Sequence, residues 1–187
     1  WREWKDLLGN KSIDDRVYDV LGELCVLNYL IAQGEDANWN GPSGASYDIE
    51  TDMRFVEVKS SVVRDRKEIT ISNQFQLDPP NKHLDLVFCQ FEPSVISGVS
   101  INLIVDQLKD KGINIGAINQ KLKELGFEEG RSSRNKTFIL HGMLKYTVDS
   151  DFPRITPASF VGGVMPAGIT KFTYTVDLSG MTPESMM

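Results

Sequence analysis

The chain has 187 residues, of which 41% are hydrophobic and 25% charged, a balance that predicts one soluble globular domain and excludes a disordered chain, a coiled coil and a collagen-like repeat. Two cysteines are too few for a disulfide framework or a cysteine-based zinc site, and a net charge of −6 opposes general attraction to phosphate polymers. The sequence shows neither a secretory signal nor a membrane-spanning run, so we expect a cytoplasmic protein.

An amphipathic helix is the first predicted element. Apolar residues recur in steps of three and four from a cap signal at Ser12 to Ile31, and Gly34 ends the pattern. Turn-forming residues at 38–46, including Asn-Gly-Pro-Ser-Gly, then predict a loop.

Strand-like segments follow the loop. Residues 45–50, 55–63 and 68–72 alternate in character, are separated by short polar turns, and predict an antiparallel meander. Residues 84–91 form a nearly continuous apolar run, which is typical of a central strand that is buried on both faces.

The second half of the chain returns to helices and then to strands. The apolar spacing predicts helices at 101–109 and 113–125, and alternation predicts strands at 137–148 and 170–178. This order indicates a mixed α/β or α+β domain around one sheet. We expect a single domain over residues 1–187, with a core at about 12–92 and a C-terminal extension at about 93–187. Because the chain starts at Trp1, we expect it to be the C-terminal part of a longer protein.

Several common catalytic arrangements have no support in the sequence. His83 and His141 are the only histidines, and neither has acidic neighbours at ligand spacing, which argues against histidine metal clusters and Ser/His/Asp triads. The glycine-rich residues 41–44 lack the Lys-Ser/Thr ending of a phosphate-binding loop and precede a strand instead of a helix. Nucleotide hydrolysis is therefore not expected.

A pair of acidic residues and a lysine remain as candidates for chemistry. Because side chains alternate along a strand, Glu57 and Lys59 share one face, and a hairpin around residues 51–54 would bring Asp48 near Glu57. Two carboxylates of this kind suit a hard cation such as Mg²⁺. A lysine beside the metal could orient a water molecule and stabilise charge on a phosphate oxygen.

These residues resemble a known motif. Asp48, eight intervening residues and then Glu57-Val58-Lys59 resemble the PD-(D/E)XK nuclease superfamily, with Tyr47 in place of the motif's proline. A second Glu-x-Lys, at residues 3–5, has no acidic strand upstream. The element order also looks like the superfamily's core of a helix, three strands, a helix and a strand. Further motifs look like the restriction-associated PD-(D/E)XK motif proteins, which belong mainly to bacterial and phage-defence loci: Gly22-Glu23-Leu24, Trp39-Asn40-Gly41, Ser60, Gln76-Leu77, Tyr146, Phe152-Pro153-Arg154 and Tyr174.

The resemblance implies a restriction-endonuclease-like fold, with a central mixed sheet flanked by helices, and Mg²⁺-dependent hydrolysis of DNA phosphodiester bonds. Mn²⁺ could substitute for Mg²⁺. In this interpretation Asp48, Glu57 and the Val58 carbonyl hold the metal, and Lys59 is the catalytic cation. Glu23 matches the acidic residue that approaches the metal from the first helix in many members. The resemblance also implies a glutamine, on a helix after the third strand, that supports the site or touches the substrate; Gln76 is the first candidate and Gln74 the second.

The sequence leaves two alternatives to a nuclease open. One is a non-catalytic nuclease-fold module that binds DNA or a defence partner, and the other is a structural or regulatory α+β domain without a nucleic-acid role. Residues 54–67 carry five basic and two acidic side chains, and this local excess either grips DNA phosphates or makes a soluble turn. A homodimer is possible in the nuclease interpretation.

Overall fold

The computed structural model describes residues 16–41, 45–73 and 75–187. The predicted helix start at Ser12, the Glu-x-Lys at residues 3–5, loop residues 42–44 and Gln74 lie outside the described residues. In the described part, the helices are α1 (Val17–Ala32), α2 (Ile101–Asp110) and α3 (Ile115–Glu124). The strands are β1 (Ala37–Trp39), β2 (Ile49–Thr51), β3 (Arg54–Ser61), β4 (Glu68–Ile71), β5 (His83–Ser94), β6 (Thr137–Thr147), β7 (Tyr174–Asp177) and β8 (Glu184–Ser185).

A six-stranded mixed sheet organises the molecule, with strand order β1-β2-β3-β5-β6-β8. Strand β3 runs parallel to β5, and the other neighbouring pairs are antiparallel. The predicted mixed α+β class with a restriction-endonuclease-like core is confirmed. Strand β5 is central, as its continuous apolar run predicted, because it lies between β3 and β6. No helix among the described residues combines the length and apolar character needed to cross a membrane.

The predicted meander is correct for its first two strands and wrong for the third. Strands β2 and β3 form the expected antiparallel hairpin, but β4 pairs with β7 in a separate two-stranded sheet. The physical reason is that both edges of β3 are taken, one by β2 and the other by β5, so β4 has no edge of β3 to join. Its inward-facing residues, Ile69 and Ile71, pack instead in a cluster with Val176 of β7.

Two short strands were not predicted. Residues 37–39 lie at the edge of the expected loop, yet they form β1, which pairs with β2 and buries Trp39. Strand β8 adds two residues to the outer edge of β6. Three-residue and two-residue strands carry too little alternation to stand out in a sequence, so only the sheet neighbour defines them.

The two faces of the central sheet are covered differently, and this positions the candidate site. Val56 and Val58 of β3 face α1 in the larger apolar cluster. On the opposite face, the register pairs Glu57 with Leu86 and Lys59 with Phe88 of β5. Leu86 and Phe88 belong to the second cluster, which contains the small sheet of β4 and β7. Glu57 and Lys59 therefore point into the layer between the two sheets.

Candidate active site

The site forms where β2 leaves β3. The two strands pair at Ile49 with Val56 and at Glu50 with Phe55, and continuing this antiparallel register by one residue sets Asp48 opposite residue 57. At the next residue of β3, the hydrogen bond is to a side chain instead of to the backbone of β2. The Val58 N–H donates to Asp48 Oδ2 at 2.7 Å. The carboxylate is thereby fixed against the backbone of the motif strand.

Glu57 is the most buried acidic residue of the group, with 2% of its surface exposed. Lys59 Nζ lies 2.8 Å from Glu57 Oε1, so the two side chains share a face of β3 as predicted. Gln76 Nε2 donates to the same oxygen at 2.9 Å, while Gln76 Oε1 accepts from the Ser72 N–H at 2.6 Å. Gln76 thus connects the end of β4 to the carboxylate of β3. The expected helix is wrong at this position, because residues 75–77 form a turn.

Burial and mutual repulsion shift the ionisation of both acidic residues. Burial, followed by the charge of Asp48, raises the pKa of Glu57 to about 8, although Lys59 opposes the shift. Burial also raises the pKa of Asp48, against the opposing effects of Lys59 and the Val58 hydrogen bond. For Lys59, burial alone would lower the pKa, but the carboxylates of Glu57 and Asp48 outweigh it and raise it.

A third carboxylate approaches from α1. Glu23 is half-buried and accepts a hydrogen bond from Trp39 Nε1 at 2.6 Å. Burial, then the charge of Asp48, raises the pKa of Glu23 well above its usual range, with a smaller contribution from Glu57. The three carboxylates therefore interact electrostatically within one region.

The donor atoms of this region suit a hard divalent cation. Asp48 and Glu57 supply carboxylate oxygens and Val58, between Glu57 and Lys59, can supply a carbonyl oxygen, which is the oxygen-only set that Mg²⁺ and Mn²⁺ prefer. Across residues 16–41, 45–73 and 75–187, no three Asp, Glu, His or Cys side chains are already grouped as a metal site. Two side chains and one backbone carbonyl would form a different kind of ligand set.

The structure therefore brings most of the predicted residues into direct contact. Asp48 accepts from the backbone of Val58, the residue next to Glu57, and Glu57 contacts both Lys59 and Gln76. The charge of Glu23 interacts with those of Asp48 and Glu57. Their roles in metal binding and catalysis stay predictions.

Two supporting residues of the site had no role assigned from the sequence. Asn40 brackets Asp48: its N–H donates to the Asp48 carbonyl at 2.8 Å, and its side chain donates to the Tyr47 carbonyl at 2.9 Å. Tyr47 stacks on Phe55 with centroids 4.5 Å apart and donates its hydroxyl to the Phe75 carbonyl at 3.1 Å. The Trp39-Asn40-Gly41 motif was the available signal for these contacts.

Comparison with known proteins identifies the family. The family described as "Putative PD-(D/E)XK family member (DUF4420)" matches residues 2–179, which is most of the chain. No curated protein and no solved structure matches the chain. The family match covers the motif strand β3 and the later strands β6 and β7, and it ends before β8. The chain therefore belongs to this PD-(D/E)XK-type family.

Proposed function

We propose that the protein is a metal-dependent endodeoxyribonuclease that hydrolyses DNA phosphodiester bonds and serves in restriction or phage defence. The observation that carries this proposal is the contact chain from Asp48 through Val58 and Glu57 to Lys59, on the strand of a nuclease-like family that bears the motif. Oxygen donors that can hold a divalent cation beside one ammonium group suit phosphodiester hydrolysis.

Each residue has a distinct task in this proposal. Asp48, Glu57 and the Val58 carbonyl would hold Mg²⁺ or Mn²⁺, which supplies positive charge to the phosphate and lowers the pKa of a bound water. Lys59 would orient the attacking water and stabilise the negative charge that develops on the phosphate oxygens. Gln76 holds Glu57 in place from the loop after β4.

The connection between β3 and β4 offers a surface for the DNA backbone. Arg64, Arg66 and Lys67 are exposed there, a few residues after the motif strand ends. Arg66 has an exposed ion pair with Glu68 at 3.4 Å, and a pair so open to solvent is weak enough for a phosphate to replace. Arg54 does not join them, because its guanidinium pairs with Glu35 at 2.6 Å and Asp85 at 3.4 Å. Three basic side chains in one loop can neutralise phosphates locally, even though the whole chain is acidic.

The test is a nicking assay with supercoiled plasmid in Mg²⁺, in Mn²⁺ and in excess chelator. We expect the wild-type protein to nick only with metal, and Lys59→Ala and Asp48→Asn to lose at least 100-fold, or about 3 kcal/mol of transition-state stabilisation. Lys145→Ala is a matched control, because Lys145 is also ion-paired and its side chain is 20% exposed, against 19% for Lys59.

The outcomes separate the proposal from its alternatives. Equal nicking by the wild type and both site variants would refute the assignment of these residues. DNA binding without metal-dependent nicking would favour the non-catalytic binding module. Absence of both DNA binding and nicking would favour a domain with no nucleic-acid role.

A further inference from the structure

Trp39 connects the edge strand β1 to the acidic residue of α1. Its indole Nε1 donates to Glu23 Oε2 at 2.6 Å, although the two residues belong to different elements. The Trp39 side chain is 4% exposed and belongs to the core cluster that packs against α1. Because a buried indole cannot turn to another partner without disturbing this core, the direction of its N–H is fixed.

Other contacts also restrict Trp39. Lys121 of α3 donates to the Trp39 carbonyl and places Nζ 6.0 Å from the centroid of the ring. At Gly41, with φ +55°, a Cβ atom would lie 3.3 Å from the indole, so a larger residue would press on the ring. Trp39 is therefore held by its backbone and by contacts to its ring.

Glu23 needs such a constraint because its surroundings are unfavourable for a carboxylate. It is half-buried, and its partner Trp39 pairs across the sheet with Ile49, the residue next to Asp48. The charges of Asp48 and Glu57 repel it there. A free glutamate on a helix surface would turn its carboxylate towards solvent. The bond from the indole to Oε2 limits how the carboxylate can turn and leaves Oε1 outside this hydrogen bond.

We propose that Trp39 is a positioning residue that holds the Glu23 carboxylate beside the metal-binding pair Asp48 and Glu57. This inference rests on the proposed metal site. It places Glu23 among the groups that interact with the ion or with its bound water, and it gives the edge strand β1 a role in the chemistry of the site. Groups that orient metal-ligating residues commonly contribute 10- to 100-fold to metal affinity.

The experiment combines a double-mutant cycle with a spectroscopic signature. Trp39→Phe keeps an aromatic ring and removes the N–H donor, and Glu23→Ala removes the acceptor. Mn²⁺ affinity is measured by calorimetry for the wild type, both single variants and the double variant. We expect Trp39→Phe to weaken Mn²⁺ binding about 10-fold in the wild type and to have little further effect in Glu23→Ala.

The indole proton gives a readout that does not depend on metal or activity. We expect the Trp39 Nε1–H resonance, assigned by its loss in Trp39→Phe, to move upfield in Glu23→Ala. Ile104→Val controls for a small loss of core volume, since Ile104 lies in the same cluster away from the site, and it should leave Mn²⁺ affinity unchanged.

The inference would be overturned if the two substitutions had additive effects on Mn²⁺ affinity. It would also be overturned if the chemical shift of the Trp39 Nε1–H resonance did not change in Glu23→Ala. A wild-type protein that binds no Mn²⁺ would overturn it together with the metal site. A third outcome is that the effects on Mn²⁺ affinity are non-additive but the protein does not nick DNA. This result would support the role of Trp39 and contradict only the proposed nuclease activity.

Discussion

Gly22 of α1 and Ser60 of β3 approach so closely that a Cβ atom on residue 22 would lie 2.1 Å from Ser60 Oγ. A side chain at residue 22 would therefore have to displace the Ser60 hydroxyl where the helix crosses the motif strand, one residue before Glu23. The Ser60 hydroxyl is buried and has no hydrogen-bond partner among the residues that the structure describes. This contact sets how near the acidic residue of α1 comes to Asp48 and Glu57.

Gly22→Ala should destabilise the protein despite the better helix propensity of alanine. The added methyl overlaps the Ser60 hydroxyl, and overpacking of a tight core contact costs about 1–3 kcal/mol. Chemical denaturation measures this change in the free energy of unfolding. We also expect Gly22→Ala to nick DNA more slowly, because α1 must move away from β3.

Ser60→Ala should reverse this effect when combined with Gly22→Ala. In the double variant the nearest atoms to the new methyl are the Cβ atoms of residue 60 at 3.4 Å and Cys89 at 3.5 Å, which are ordinary contacts. We expect the double variant to be at least as stable as Ser60→Ala alone. A double variant as unstable as Gly22→Ala would show that the hydroxyl is not the source of the clash.

Gln76→Ala should lower nicking about 10- to 100-fold with little change in melting temperature, because Gln76 orients Glu57 without filling the core. Gln76→Glu should be more harmful, since it replaces the amide donor by a carboxylate that repels Glu57. Single-turnover rates at saturating metal test both variants. Gln120→Ala, at an exposed pair on α3, is the control. Wild-type rates in Gln76→Glu would contradict the contact with Glu57.

Mn²⁺ affinity should increase with pH up to about 8. The pKa of Glu57 is raised to about 8, so below that pH a proton occupies the carboxylate and competes with the metal. For one displaced proton, the affinity should change by about 10-fold per pH unit in this range. Calorimetry at several pH values, with buffers of different ionisation enthalpy, measures both the affinity and the proton release.

Asp48→Asn tests the cause of this pH dependence. Removing the Asp48 charge removes part of the repulsion that raises the pKa of Glu57, so the pH profile should shift to lower pH while the total affinity falls. A profile that stays in place would mean that the proton is released by another group.

Arg64→Gln and Arg66→Gln should each weaken DNA binding and make it less sensitive to salt. Each lost phosphate contact lowers the slope of log affinity against log salt by about 0.9. Gel-shift titrations at several salt concentrations measure the slope. Lys109→Gln, exposed on α2, is the charge-matched control. If the salt dependence of DNA binding were unchanged in both arginine variants, the loop between β3 and β4 would not contact DNA phosphates and would be only a soluble turn.

Local patterns predicted the parts of the fold that depend on near neighbours. The hairpin of β2 and β3 could be predicted because the two strands are separated by a short turn. This prediction placed Asp48 near Glu57. The partner of β4 could not be predicted, because Ile69 and Ile71 alternate in the same way whichever strand they join. The pairing with β7 depends on which edges of β3 are already occupied.

The supporting contacts of the site were the least predictable. Gln76 was identified only through the resemblance, and its bond to Glu57 depends on where the loop after β4 returns. Trp39 and Asn40 lie at the edge of a predicted loop, and no periodic pattern distinguishes a buried indole donor from an ordinary aromatic core residue.

The pairing of β4 with β7 has a consequence for biosynthesis. Residues 68–71 can meet residues 174–177 only after residue 177 has left the ribosome, and Ser72, which bonds to Gln76, follows directly after β4. A partly translated chain can form the hairpin that carries Asp48 and Glu57 but lacks the strand that closes the layer over them. The layer around Glu57 and Lys59 can therefore close only once β7 has been synthesised, more than a hundred residues after β4.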